Sequence, residues 1–216
     1  MVGQRRHSRR GAARGLRAMT LIVDAAPLVA VADEREPLRD VVRAILRSEG
    51  EGLVVPAPVT AEVDYLLRTR LGASAAMAFL TDVAEGRFQV VGLSADDHQL
   101  ALEVDARYAD RQLGLADLSV IVLAHRFGTH RLLTFDQRHF RAVTALDGTP
   151  FALLPADASL GRPVPREVSQ LCRAKMSSVR AARSSVGPGT ALSRASARVW
   201  LSDASSRARS RPWKLT

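Results

Sequence analysis

Two hydrophobic periods alternate along this chain. Short blocks of consecutive apolar residues read as buried strands: Leu21-Ile22-Val23 closing on Asp24, Leu53-Val54-Val55, Phe88–Val91, Arg131–Phe135 and Phe151–Leu154. Between them apolar residues recur every three or four positions, the spacing of a helix packed on one face. Pro27 suits the start of a first helix. Glu36–Arg47 sets Leu38, Val41, Val42, Ile45 and Leu46 against Arg39, Arg43 and Arg47, and Gly50 and Gly52 end it. Pro56 and Pro58 are expected to stop the second strand. A helix over Thr60–Arg70 then turns Val63, Leu66 and Leu67 inward, and Gly72 closes it. Further helices are predicted over Ala73–Glu85, with Ala76, Met77 and Leu80 at packing positions, and over Ala95–Tyr108, with Leu100, Leu102, Val104 and Tyr108. The last long one is Leu115–Phe127, ended by Gly128. Strands alternating with helices through short connections imply an α/β class, a parallel sheet of about five strands covered on both faces as three α/β/α layers.

The pattern fails after Pro155. Residues 159–216 form an Arg/Ser/Ala-rich tail whose one apolar knot is Val199-Trp200-Leu201. Such a composition does not offset its own ordering entropy, so disorder is expected, with an RNA- or partner-binding tail as the functional alternative. Residues 1–18 hold six Arg and no acid, and are expected to be a disordered basic arm or to precede a start at Met19. Ser8-Arg9-Arg10 hints at export, but the apolar stretch behind it is broken by Asp24 and Pro27, which argues against a signal sequence. No apolar run approaches the ~18 residues of a membrane span.

Charge sharpens this division. The chain carries +9 overall, yet residues 19–160 contain thirteen Arg, no Lys and twenty Asp plus Glu, a net of −7. The basic character belongs to the flanks, and the folded part is acidic, so a broadly basic RNA-grasping surface is not encoded there. Cys172 is the lone cysteine, which excludes an intrachain disulfide and a cysteine-rich zinc site. A reducing, cytoplasmic setting follows.

Four acids end apolar stretches: Asp24, Glu62, Asp117 and Asp136. A carboxylate beside buried structure is costly unless compensated, and a hard cation bound by oxygen is one compensation. In an open parallel sheet the chemistry sits beyond the carboxyl ends of the strands, where strand order reverses. Asp24 closes the first strand and Asp136 follows the fourth, and if those two strands are neighbours at the reversal their carboxylates meet. Glu62 and Asp117, in the first turns of their helices, would point into the same crevice. Octahedral Mg²⁺ or Mn²⁺, held through carboxylates and waters, fits the group and would serve phosphodiester hydrolysis. Each acid also has a plainer reading, as a strand-end, helix-start or capping residue. Asp64 is expected to face away, and Asp96 and Asp97 to start a helix. His139 is expected at the surface, Arg138 and Arg141 to be available for phosphate, and Ser119 and Thr134 to support the carboxylates or water.

Leu-Ile-Val-Asp24-Ala-Ala, Pro-Val-Thr-Ala-Glu62-Val-Asp-Tyr-Leu, Leu-Gly-Leu-Ala-Asp117 and Leu-Leu-Thr-Phe-Asp136 resemble, in order, the four acidic motifs of PIN-domain nucleases. The small size and the Arg-Leu-Gly after Glu62 resemble the VapC toxins of bacterial toxin–antitoxin pairs. The resemblance spans about Met19 to Pro155, within a PIN-like domain over 19–158. It implies a Mg²⁺-dependent endoribonuclease acting on structured RNA such as tRNA or ribosomal RNA, a homodimer, and a cognate VapB antitoxin covering the site. It also implies Asp24 and Asp117 as main metal ligands, with Glu62 and Asp136 completing the cluster and orienting the attacking water. One departure is Ala26, where the family commonly carries Ser or Thr. The competing reading is a catalytically weak PIN domain that binds RNA or a partner. A dehalogenase-like phosphatase is disfavoured because it needs an Asp at position 26, and a receiver domain because residues 19–160 lack Lys.

Overall fold

The structure, a computed structural model, describes residues 20–158 and Gln170. The basic arm, Cys172 and the knot at 199–201 lie outside the described residues. Five short strands form one parallel sheet in the order β3-β2-β1-β4-β5: β1 Leu21–Val23, β2 Leu53–Pro56, β3 Gln89–Val91, β4 Arg131–Leu133 and β5 Ala152–Leu154. The centre is the most apolar strand. Leu21, Ile22 and Val23 are all fully buried, Ile22 pairing with Val54 on one side and with Leu132 on the other. A strand buried on both faces has no polar alternation to keep, which is why three consecutive apolar residues marked it.

Among residues 20–158 seven α-helices surround the sheet: α1 Ala25–Ala32, α2 Arg39–Glu49, α3 Ala57–Arg70, α4 Ala73–Ala84, α5 Ala95–Arg107, α6 Leu115–Phe127 and α7 Gln137–Phe140. From β1 the chain steps through β2 to β3 at one edge, then crosses back to β4 and on to β5 at the other. In the packing α1 lies against α2 and α3, α3 against α4, and α5 against α6, while α6 also contacts β1, β2 and β4. Among the described residues no helix is long and apolar enough to cross a membrane.

Several boundaries and faces differ from those the sequence suggests. Pro56 is the last residue of β2, and Pro58 lies inside the first turn of α3. A proline there removes only an N–H that has no helical partner, and its fixed φ favours the helix. Helix α3 thus begins three residues before Thr60, and Glu62 sits in its second turn rather than its first. Pro27 is the third residue of α1, equally harmless, because Asp24 is the cap. Met77 and Leu80 are exposed at 55% and 40%, while α4 buries Ala75, Ala76 and Phe79. Both stripes have helical spacing, and the one carrying the aromatic ring wins, with Phe79 stacked near Phe88. Leu102 is likewise exposed, and α5 packs through Ala101 and Val104. Gly72 opens α4 at φ 94°, and Gly128 closes α6 in the left-handed region at φ 64°.

Candidate active site

Strand order reverses between β1 and β4, and the residues following those two strands are stitched together. The Asp24 N–H donates to the Leu133 carbonyl at 3.0 Å, extending the ladder one residue past β1. The Asp24 side chain, 8% exposed, accepts from the Ala25 N–H through Oδ1 (2.7 Å) and from the Thr134 hydroxyl through Oδ2 (2.7 Å). Thr134 Oγ1 in turn accepts the Asp136 N–H at 3.0 Å. One hydroxyl therefore sets the Asp24 carboxylate and the backbone at Asp136. Asp136 caps α7 by accepting the His139 N–H at 2.9 Å. His139 Nδ1 lies 2.9 Å from Asp136 Oδ2, a close ionic approach without the alignment of a hydrogen bond.

Asp117, third residue of α6, reaches back to accept the Gly114 N–H at 3.1 Å. Glu62 stands on α3, which packs against α6. All four acids line a single cavity of about 690 Å³. The plainer readings hold as well for three of them: Asp24 ends its strand, Asp117 lies in the first turn of α6 and Asp136 caps α7, and each carboxylate also accepts an N–H at a helix start while lining the cavity.

These carboxylates are electrostatically uncomfortable. Burial pushes Asp24 up to about 6, against the pull of Thr134 and Ala25, and the charges of Asp117 and Glu62 push the same way. Burial raises Asp117, opposed by the Gly114 N–H and by His139 and reinforced by Asp136. Glu62 is exposed at its surface, yet the cavity wall removes enough water to raise its carboxyl, and Asp117 adds to the effect while Arg70 opposes it. Each acid is thus repelled by at least one other, the condition a cation relieves. The donors are hard oxygens with no lysine among the lining residues, which suits Mg²⁺ or Mn²⁺. Among the described residues no three His, Cys, Asp or Glu side chains converge closely enough to hold an ion by direct ligation.

The remaining candidates divide. Asp64 pairs with Arg68 at 2.8 Å and does not line the cavity, as its helical position implied. Asp97 forms a capping box with Ser94. Ser119 is fully buried and gives its hydroxyl to the Ala116 carbonyl, so it supports the helix rather than a carboxylate. Arg138 and Arg141 do not line the cavity, and Arg141 is committed to Asp157 at 2.7 Å. His139, expected at the surface, is a cavity residue. Three others were missed: Arg70, Asp33 and Glu36. The signal for Arg70 was its spacing of eight from Glu62, two helical turns on the same side. For Asp33 and Glu36 it was their position at the end of the helix that Asp24 begins. Ala26 also lines the cavity, so a methyl group stands where the family pattern has a hydroxyl.

A model of the PIN domain matches residues 21–146, the span that contains all four acids. Ribonuclease VapC26 of Mycobacterium tuberculosis is 36% identical over 135 residues, which is 62% of this chain and 100% of the relative. The crystal structure of Mycobacterium tuberculosis VapC20, described as a sarcin-ricin loop cleaving toxin, superposes with a TM-score of 0.53 at 20% identity, covering 57% of this chain and 95% of that one. At that identity VapC20 speaks for the fold alone. With more than half its length matched by the domain model and a full-length relative at 36% identity, this chain belongs to the PIN-domain family, among the VapC ribonucleases.

Proposed function

We propose that the protein is the toxin of a VapBC-type pair: a cytoplasmic endoribonuclease, dependent on Mg²⁺ or Mn²⁺, that hydrolyses phosphodiesters of tRNA or ribosomal RNA. It would act as a homodimer and be silenced by a VapB-type antitoxin. The observation that carries this reading is the convergence of Asp24, Glu62, Asp117 and Asp136 on one cavity at the strand-order reversal.

PIN-domain ribonucleases generally use divalent metal. A bound ion supplies Lewis-acid stabilisation of the phosphoryl charge and makes a nearby water more acidic. The chain's own residues do the rest. Asp24, fixed by Thr134 and Ala25, and Asp117, fixed by Gly114, are the principal ligands because their rotamers are already locked. Glu62 and Asp136 accept hydrogen bonds from water and set the attacking one in line with the phosphorus. The attack forms one P–O bond and breaks another, and the departing oxygen takes up a proton. His139 stands beside Asp136 on the cavity wall.

The test is RNA cleavage and growth arrest by Asp24→Asn and Asp117→Asn. Both should lose both activities. If either variant still cleaves and arrests growth as the wild type does, the carboxylates are not the metal site. RNA binding without Mn²⁺-dependent cleavage by the wild type would instead make the domain a binding module.

A further inference from the structure

The cavity presents a problem that its carboxylates do not solve. Asp24, Asp33, Glu36, Glu62, Asp117 and Asp136 all line it, within a folded part of the chain that is itself net negative. An RNA backbone entering such a space meets like charge, and one hydrated divalent ion offsets only part of it. Among the lining residues there is one Arg and no Lys. That residue is Arg70, in the last turn of α3.

Arg70 differs from most arginines of the domain in having nothing to hold. Arg68, Arg87, Arg126, Arg131 and Arg141 are bound to carboxylates at 2.6–3.0 Å. Arg70 makes no ion pair or side-chain hydrogen bond among the described residues. It is exposed, and its charge is close enough to Glu62 to lower that carboxyl's pKa without pairing with it. Glu62, Leu66 and Arg70 follow one another at four-residue intervals and all line the cavity. They form one stripe along α3, about 12 Å from end to end at the backbone. A long side chain on a helix leans toward the N-terminus, which aims the Arg70 guanidinium back along this stripe toward Glu62.

We propose that Arg70 is a substrate-binding residue that grips a backbone phosphate of the RNA beside the carboxylate cluster. This rests on the ribonuclease reading above. A guanidinium with no partner among the described residues offers a fork of N–H donors that matches two phosphate oxygens. Its place at the far end of the stripe from Glu62 sets where the strand lies relative to the carboxylates. Phosphate contacts position a nucleic acid without reading its sequence, so Arg70 sets register and leaves base choice to other groups.

The experiment compares full-length wild type, Arg70→Gln and Arg70→Lys. Initial rates of Mn²⁺-dependent cleavage of bulk tRNA and ribosomal RNA at subsaturating concentration are measured across a salt series, alongside Mn²⁺ affinity by calorimetric titration. Arg70→Gln should cleave about tenfold or more slowly, with a log-rate against log-salt slope shallower by about 0.7, the loss of one phosphate contact on a single strand. Its Mn²⁺ affinity should be unchanged or tighter, because a cation has left the cavity. Arg70→Lys should keep the wild-type slope at an intermediate rate. A wild-type rate and slope in Arg70→Gln overturn the proposal. So does a Mn²⁺ affinity that falls in step with the rate in both variants, which would make Arg70 a structural support of the metal site. A wild type that cleaves neither RNA brings down the ribonuclease reading itself, and that is seen before any variant is compared.

Discussion

The hydroxyl of Thr134 donates a 2.7 Å hydrogen bond to Asp24 Oδ2, across 110 positions of sequence and from one central strand end to its neighbour. Both residues are buried, so the bond is shielded from water. It is charge-assisted whenever Asp24 is ionised, and it holds the carboxylate in one rotamer. Thr134→Val keeps the shape and removes the donor. We expect Mn²⁺ affinity and RNA cleavage each to fall by about tenfold, and stability to fall by about 1–2 kcal/mol. Thr134→Ser should retain most of all three. Denaturant titration and Mn²⁺ calorimetry on the same preparations separate the effects.

Asp24 also gives the metal-free protein a pH dependence whose sign is fixed. Its carboxyl is raised from an ordinary value of 3.8 to about 6 in the fold. Between those values the native state binds more protons than the unfolded chain, so the contribution of Asp24 to stability falls as pH rises through that window. The difference amounts to about 3 kcal/mol. Asp117 and Glu62 are shifted in the same direction. Urea midpoints of metal-free protein should therefore decline from pH 4 to pH 7, and the decline should be smaller in Asp24→Asn. Saturating Mn²⁺ should restore wild-type stability at pH 7 and leave Asp24→Asn almost unchanged.

Away from the cavity, Arg131 and Glu49 pair at 2.6 Å with side chains 12% and 8% exposed. Removing one partner strands a buried charge. Arg131→Met is expected to cost about 3 kcal/mol while Mn²⁺ affinity stays at the wild-type value. A combined loss of stability and metal binding would show that the pair shapes the site as well as the fold.

Helix α4 offers a test of its buried face. Phe79→Ala should destabilise by about 3–4 kcal/mol, whereas Met77→Ala and Leu80→Lys should each cost under about 0.5 kcal/mol. Thermal melts of the three variants decide which stripe is inward.

These cases show where the sequence was informative. Leu21-Ile22-Val23 and the strands beside it were legible because both faces of a parallel strand are buried and nothing competes with the apolar signal. The meeting of Asp24 and Asp136 was conditional in the sequence on their two strands being neighbours, and the strand order β3-β2-β1-β4-β5 supplies that adjacency. Helix α4 was legible as a helix, but its buried face was not, because Ala-rich segments offer two apolar stripes and only packing chooses between them. The start of α3 was obscured by prolines, which end a strand and begin a helix with equal ease. Thr134 was recognisable as a flanking hydroxyl, but its bond to Asp24 depends on strand adjacency. Arg70 was noted only within Arg-Leu-Gly and not as a site residue, because an arginine in a last helical turn is ordinary. Only the acidic cavity around it makes it unusual.

The central claim is that four carboxylates from separate segments form one cation site. It is tested most directly by calorimetric Mn²⁺ titration of the wild type, Asp24→Asn, Glu62→Gln, Asp117→Asn and Asp136→Asn at pH 7.5. The account predicts binding by the wild type, a loss of at least about tenfold in Asp24→Asn and Asp117→Asn, and a smaller loss in the other two. Wild-type affinity in Asp24→Asn and Asp117→Asn would contradict it.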